Sequence, residues 1–504
     1  MTGTAPVRVL GAGFEIGIAI EIVILIVIAP RRHTVYVVGM STLRHMLLLL
    51  VLGAGAAHAQ SVDLLYRQHC ASCHGPNLEG ALASPLNDGA WGFGDTDAEI
   101  ARNIAEGIPE MSVAGFRDTL TPEHIRALVI YLREAENEER LREEPPPRAR
   151  RGQPVVTTHA RFTLETVTDD LDTPWGLAFL PDGRMLVTEC DGRLRVIDAD
   201  GRLDPEPVSG LPPVIRHGQG GLMDVAVHPD YAKNGWIYLA LADGERGEGR
   251  PKTHTAIQRG RLRDGAWTDA EWIFRVDPAF YSASTVHFGS RIVFRDGYVF
   301  FVIGERGGLD IAQDLARPEG KIFRLFDDGR VPPDNPFVDT PGALPGIWSY
   351  GHRNPQGLVF NRDGRLYATE HGPRGGDELN VIKPGANYGW PVITHGMNYN
   401  GTPMTGLTEK DGMEQPVVHW TPSIAACGLA EYRGAAFPDW EGDLFAGGLR
   451  SEELRRLRLR DGKVIEQEIV LKGSGRIRDV KLGPDGHLYL ALNNPDRIVR
   501  LQPR

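Results

Sequence analysis

Residues 181–188 read PDGRMLVT, an Asp-Gly turn followed by a short apolar run. The theme returns as PDYAKNGWIYLA from Pro229, RDGYVFFVIG from Arg295, RDGRLYATE from Arg362, PDWEGDLFAGG from Pro438 and PDGHLYLAL from Pro484. Asp and Gly supply turn geometry, and the β-branched and aromatic residues after them favour strands. Six such units across residues 155–504 give roughly 58 residues each, enough for four short strands with loops, the size of one propeller blade. Asp191-Gly192, between LVTEC and RLRVID, adds a tight hairpin. The expectation is an all-β six-bladed propeller, set against a pair of packed sheets with chance Asp-Gly turns.

The rest of the chain brackets that reading. At 504 residues it is too long for one ordinary core. With 60 Gly and 36 Pro it favours turns over long helices. A net charge of −11 excludes a general nucleic-acid binder, which needs a basic face. Four cysteines exclude a disulfide scaffold.

Residues 1–60 read as a signal or targeting region. An apolar stretch at 9–29 is long enough to span a bilayer but carries Glu15 and Glu21, each costly in hydrocarbon. From Met40 a charged start, an apolar core at 47–51 and Ala57-His58-Ala59 form a secretory signal. Met40 is therefore the expected true start, and the expected location of the mature chain is periplasmic. Membrane attachment follows only if residues 1–39 form a retained anchor. Residues 134–154 run from AENEERLREE into PPPRARRGQP, a charged, Pro-rich linker expected to be extended.

Between them, residues 61–133 carry Cys70-Ala-Ser-Cys73-His74, the CxxCH attachment signature of c-type haem. The two thiols bond the haem and His74 lies under the iron. Met111, in GIPEMSVAGF, stands 37 residues beyond His74 in a Gly/Pro-bounded loop and is the candidate sixth ligand, with His124 the rival. A thioether ligand raises the reduction potential. Thr121-Pro122 then opens a helix with Ile125, Leu128, Val129 and Leu132 on one face. This order resembles a small, all-α class I cytochrome c.

The segments RHGQGGLMDVAVHPD, VHFGSRIVF, SYGHRNPQGLVF, TEHGPRGGDELN, ANYGWP and GRIRDVKLGPDGHLYL occur in this order. They resemble the soluble PQQ-dependent sugar dehydrogenases, in the aldose sugar dehydrogenase branch of the glucose/sorbosone dehydrogenase family. The resemblance covers about 160–504 and implies a six-bladed propeller with PQQ in its central channel. PQQ is a planar ortho-quinone with three carboxylates, and arginine suits it through bidentate forks and stacking. Arg476 and Arg478, two apart on an expected strand, point to one face. The resemblance places that pair on the cofactor, puts Arg450 where relatives carry a cofactor-contacting lysine, and adds Gln219, Asn354, Tyr399 and Ser423.

His287 matches the family's catalytic base, a group that titrates near working pH. Arg353 matches the residue beside the reactive quinone carbonyl, where its charge stabilises a developing oxyanion. Glu305 falls where relatives often carry Asp to orient the histidine. Glu378 and Tyr388 resemble calcium contacts, and the carbonyls of Gly372 and Pro373 resemble those of a second calcium site. Oxygen donors suit that hard cation. Ala426-Cys427 stands where relatives often show Pro-Ser, which puts Cys427 at the channel rim.

The resemblance implies oxidation of an aldose at its C1 hydroxyl to a lactone. The fused haem is the expected internal acceptor, kept at high effective concentration by the linker. Residues 61–144 hold sixteen acidic against seven basic residues, which implies a basic docking patch on the downstream acceptor, a cytochrome or terminal oxidase. The alternative is a propeller that binds carbohydrate or protein without catalysis, tethered to an electron carrier.

Overall fold

A computed structural model describes residues 60–150 and 152–504. The expected targeting region, up to residue 59, lies outside the described residues. No described helix is long and apolar enough to cross a membrane. Residues Ser61–Arg504 form one compact unit.

The first part of it is helical: Val62–His69, Ala71–His74, Asp97–Glu106 and Pro122–Glu143. Local chemistry sets the starts. Thr96 and Glu99 form a capping box on the third helix. Thr121 caps the fourth, where Pro122 fits because the missing N–H has no partner in a first turn. Val62, Leu65, Tyr66, Ile100, Leu128 and Leu132 form its core. The expected apolar face of the last helix is correct but incomplete, because every residue from His124 to Ile130 is buried. The second face is buried against the propeller: Arg126 donates to the carbonyl of His395 at 3.1 Å, and Met397 packs in the helical core.

The linker departs from the expected extended spacer. Its charged half continues the last helix to Glu143. Glu, Arg, Ala and Leu are good helix formers, and Arg142 pairs with Glu139 one turn back. The proline half lies against the propeller, with Lys472 N–H donating to the carbonyl of Pro147 at 2.9 Å and Ala149 packed against the core of the last two blades.

The propeller has six blades, as the turn repeats imply. Their innermost strands are Pro174–Phe179, Leu222–Val227, Ile292–Arg295, Pro355–Phe360, Ala426–Glu431 and Arg476–Leu482. Each touches the next, and the sixth touches the first, closing a ring. The ring is sealed by Arg161–Thr168, which pairs with Arg497–Pro503 in the last blade. Blade one has three strands and the others four or more. The six repeated runs are the second strand of each blade in turn, beginning at Met185, Ile237, Tyr298, Leu366, Leu444 and Leu488.

In an antiparallel pair the start of one strand faces the end of the next. Pro174 pairs with Glu189, Pro355 with Glu370, Ala426 with Gly448 and Arg476 with Asn493. Residues just before an innermost strand and just after a second strand therefore gather at one mouth of the channel. By that rule Gln219, His287, Glu305, Arg353, Asn354, Gly372, Pro373, Ser423, Arg450 and Arg476 share a mouth.

Candidate active site

His287 is held by its neighbours in a left-handed backbone conformation, φ 53°. Such a non-glycine conformation costs energy and persists only where the surroundings impose it. Here Gln219 imposes it, accepting the His287 N–H on Oε1 at 2.8 Å. The ring is fixed by Glu305, whose Oε1 accepts from Nδ1. That bond selects the tautomer with Nε2 as the free acceptor. Burial pushes the His287 pKa down, Glu305 opposes this, and the nearby Arg353 charge adds to it, so the imidazole is neutral near pH 7. Glu305 Oε2 is buried with no partner. The expected orienting role thus falls to Glu305, and its longer side chain still reaches.

Arg353 is locked from several sides. Its N–H donates to Glu370, and its carbonyl accepts from Glu305 N–H at 2.8 Å. Nη1 donates to the carbonyls of Gly372 at 2.8 Å and His371 at 3.2 Å, and Nη2 approaches the Tyr399 hydroxyl at 3.5 Å. Nε is buried without a partner. Tyr399 itself is 68% exposed at the mouth.

Arg450, Arg476 and Arg478 form no ion pair among the described residues. Burial and the adjacent Arg478 charge push the Arg476 pKa down, the mark of cations gathered without a counter-ion. Arg478 lies 5.5 Å over the Trp175 ring. Arg450 is exposed, with its backbone N–H bonded to the Ile424 carbonyl beside Ser423. Three arginines lacking carboxylate partners fit a ligand bearing several carboxylates. Asn354 serves differently from expectation. It is 1% exposed, and its Oδ1 is occupied by Gly289 N–H and Gln356 Nε2, so it braces the floor of the site. Ser423 Oγ donates to the Pro373 carbonyl at 2.8 Å.

The expected calcium residues divide. Glu378 is the cross-strand partner of Glu370, whose oxygens are taken by His352 and the Arg353 N–H, and Asp377 accepts from the Gly372 and Ala426 N–H groups. Burial and Glu370 push Glu378 up to about 8, and burial pushes Asp377 up to about 6. Glu378, held through Oε2 by Asn380 Nδ2 at 3.0 Å, is the acid of the three whose oxygens suit a hard cation such as calcium. The Tyr388 hydroxyl is spent on strand Asp377–Ile382, donating to the Val381 carbonyl at 2.6 Å and accepting from Lys383 N–H at 2.9 Å. Any ligation by Tyr388 must use its carbonyl. The Gly372 and Pro373 carbonyls hold Arg353 and Ser423, which sets two hydrogen-bonded side chains where a second cation was expected.

Cys427 is not at the rim. It lies on an innermost strand, 0% exposed, with its thiol 2.9 Å from the Arg478 carbonyl. It and Cys190 are both free thiols.

Beneath the site lies a layer that the sequence reading missed. Arg291, 2% exposed, pairs with Asp224 at 2.8 Å and Asp479 at 3.0 Å. It also donates to the carbonyls of Gln356 at 2.8 Å and Arg478 at 2.7 Å. This ionic layer separates the mouth from a cavity of about 700 Å³ at the other end of the channel, lined by Phe179, Arg295, Phe360 and Lys481. A trace was available in the internal likeness of DVAVHPD from Asp224 and DVKLGPD from Asp479, which mark equivalent strands in two blades.

In the helical part, His74 Nδ1 lies 2.8 Å from the Ser84 carbonyl, which leaves Nε2 for a metal. Cys70 and Cys73 are free thiols. Leu82, Phe93 and Met111 are large apolar side chains left exposed on this helical part. His124 closes the cap of the last helix, its Nδ1 3.3 Å from Thr121 Oγ1.

Residues 171–500 match the family model described as Glucose / Sorbosone dehydrogenase, and residues 57–132 match that of Cytochrome C oxidase, cbb3-type, subunit III. An aldose sugar dehydrogenase of Escherichia coli K12 is 42% identical over 355 residues, covering 68% of this chain and 94% of its own. The apo crystal structure of the soluble aldose sugar dehydrogenase from Escherichia coli superposes with a TM-score of 0.64 at 41% identity, over 68% of this chain and 100% of that one. The PQQ-bound aldose sugar dehydrogenase of Streptomyces coelicolor gives 0.55 at 32% identity, over 68% and 99%.

Proposed function

Because the chain belongs to the glucose/sorbosone dehydrogenase family and carries a cytochrome c domain ahead of the propeller, we propose that it is a quinohaemoprotein that oxidises the C1 hydroxyl of aldose sugars to lactones and delivers the electrons to its own haem. The observation that carries this is one mouth holding both a neutral histidine with a fixed tautomer and arginines without carboxylate partners.

PQQ, when bound, supplies an ortho-quinone that accepts a hydride. Arg450, Arg476 and Arg478 would hold its carboxylates, with Gln219, Tyr399 and Ser423 around them. His287 Nε2 takes the proton of the sugar C1 hydroxyl as the C1 hydrogen leaves with its electron pair, which converts the C1–OH to the lactone carbonyl. Glu305 keeps the ring oriented and stabilises the imidazolium formed. Arg353 offers its guanidinium charge, with Nη2 beside Tyr399 at the mouth, to the oxygen that gains charge. The Arg291 layer closes the channel floor and keeps water from entering from behind. Calcium would be held by the Glu378 carboxylate and the Tyr388 carbonyl, neutralising the acids below Arg353.

Haem c would be held by Cys70, Cys73 and His74, with Met111 as sixth ligand. When bound, the haem would supply a one-electron relay to an external carrier or oxidase. Export to the periplasm, supported by the signal pattern from Met40, is part of the same proposal.

The test is optical. The protein is loaded with PQQ and Ca2+, an aldose panel is added and the haem α-band is followed. Reduction by sugar only with PQQ present is the expected result. A dye reduced while the haem stays oxidised removes the internal circuit, and no reduction of either removes the enzyme assignment. A purely binding propeller predicts that last outcome.

A further inference from the structure

The cytochrome domain is seated on the mouth that holds Arg353, through two short segments of blade four. The first is 372–375. Its Gly372 carbonyl accepts from Arg353 and its Pro373 carbonyl from Ser423. The next residue, Arg374, turns the other way and grips Glu134 on the long cytochrome helix, with Nη2 2.7 Å and Nε 3.0 Å from Oε2. A Cβ on Gly375 would come within 3.2 Å of the Ile130 side chain on the same helix, so Ile130 packs directly onto this glycine.

The second segment is 395–401. The Met397 and Arg374 backbones exchange hydrogen bonds of 2.8 and 2.9 Å, while the Met397 side chain is 1% exposed within the cytochrome core. Two residues on, the Tyr399 hydroxyl meets Arg353. Two further on, the Gly401 carbonyl accepts the Val62 N–H at 2.8 Å. Val62 begins the helix that ends at His69, directly before Cys70. Both segments thus have one end on the catalytic arginine and the other inside the haem domain.

We infer that Arg374 is a positioning residue: its pair with Glu134 fixes the haem domain over the quinone mouth, so that electrons cross a built contact through 372–374 and 397–401 and do not wait on a tethered encounter. This rests on the proposed circuit. The balance is simple. Each sugar gives up two electrons and two protons. Each electron reduces one ferric haem to ferrous, the protons pass to solvent, and an external one-electron acceptor re-oxidises the haem between transfers. The docked proline stretch, with Pro147 and Ala149 held on the propeller, agrees with a fixed domain.

The test uses the full chain with haem attached. Glu134→Gln removes the charge from the pair, and Glu134→Arg with Arg374→Glu restores it reversed. Sugar-driven haem reduction is followed by stopped flow beside dye-linked sugar oxidation. Hydrogen exchange at 62–69 and 395–401 is measured separately on PQQ-free protein. Expected for Glu134→Gln is haem reduction slowed about tenfold or more, since small displacements cost large factors. Its dye-linked turnover stays within about twofold, and exchange rises in both segments. The reversed pair is expected to recover haem reduction and protection together. Haem reduction in Glu134→Gln as fast as in wild type, or exchange unchanged in both segments, overturns the inference. A wild-type haem that sugar never reduces, with the dye still reduced, overturns the circuit itself.

Discussion

Replacing Glu305 by Gln is nearly isosteric at a position 1% exposed, so the fold is retained and the change acts on His287 alone. The carboxylate accepts the Nδ1 proton and leaves the Nε2 lone pair for substrate. The amide can instead donate to Nδ1, which moves the ring proton to Nε2 and removes the base. Loss of the correct tautomer costs about 10²–10⁴ in kcat, or roughly 3–5 kcal/mol of barrier. Protonation cannot mimic this. Burial and Arg353 already lower the His287 pKa from 6.5, and Glu305 is the group that opposes them. A base with a lowered pKa is active above that pKa and is lost only as pH falls through it. The acid limb of kcat/KM in wild type therefore lies below 6.5, and in Glu305→Gln it moves lower still. At pH 7–8 both proteins carry a neutral ring, and the rate difference there reports the tautomer. Dye-linked turnover across pH 5–9, with PQQ saturating, is the assay. Glu305→Asp keeps an acceptor and stays within about tenfold of wild type. A Gln variant within about threefold of wild type, or a wild-type acid limb above 6.5, would falsify the assignment.

Arg291→Met strands two buried carboxylates and is expected to lower stability by about 3–5 kcal/mol in urea unfolding, most of it recovered when Asp224 and Asp479 are also made Asn; a cost under about 1 kcal/mol would count against the ionic layer. Arg476→Ala and Arg478→Ala each remove charged donors worth about 1.5–3 kcal/mol and are expected to weaken PQQ binding roughly 10–100-fold by titration, and unchanged affinity would relocate the cofactor. Calcium is expected to raise the unfolding temperature of wild type and not of Glu378→Gln, and an equal rise in both would move the site elsewhere. Met111→Ala is expected to remove the sulfur-to-iron signature from the haem spectrum while dye-linked turnover persists, and an unaltered spectrum would refute thioether ligation.

The blade count was legible because each second strand follows an Asp- or Gly-bearing turn and opens on a run of apolar residues buried between neighbouring blades. The innermost strands were harder to see for a physical reason. They line a polar channel, so Asp224, Gln356 and Asp479 interrupt the apolar pattern that marks a strand. The residues gathered at the mouth were legible through short strings, but the hydrogen bonds they make there were not. Gln219 and Asn354 were expected on the cofactor. Gln219 also holds the His287 backbone, and Asn354, 1% exposed, braces the floor. The linker misled because three prolines suggest an extended spacer, whereas extended chain can equally lie bonded along a blade.

What the sequence alone determined is what local chemistry and periodicity encode: the CxxCH attachment, the Thr121-Pro122 helix start, six turn-and-strand repeats and the residue types of a quinone site. Only the tertiary structure decided which of those residues touch. Arg374 and Glu134 stand 240 residues apart, yet share one ion pair. Ile130 and Met397 are apolar residues whose burial depends on a surface from the other domain. Ring closure brings loops from all six blades to one mouth, and a pairing made across that distance leaves no period in the chain to read.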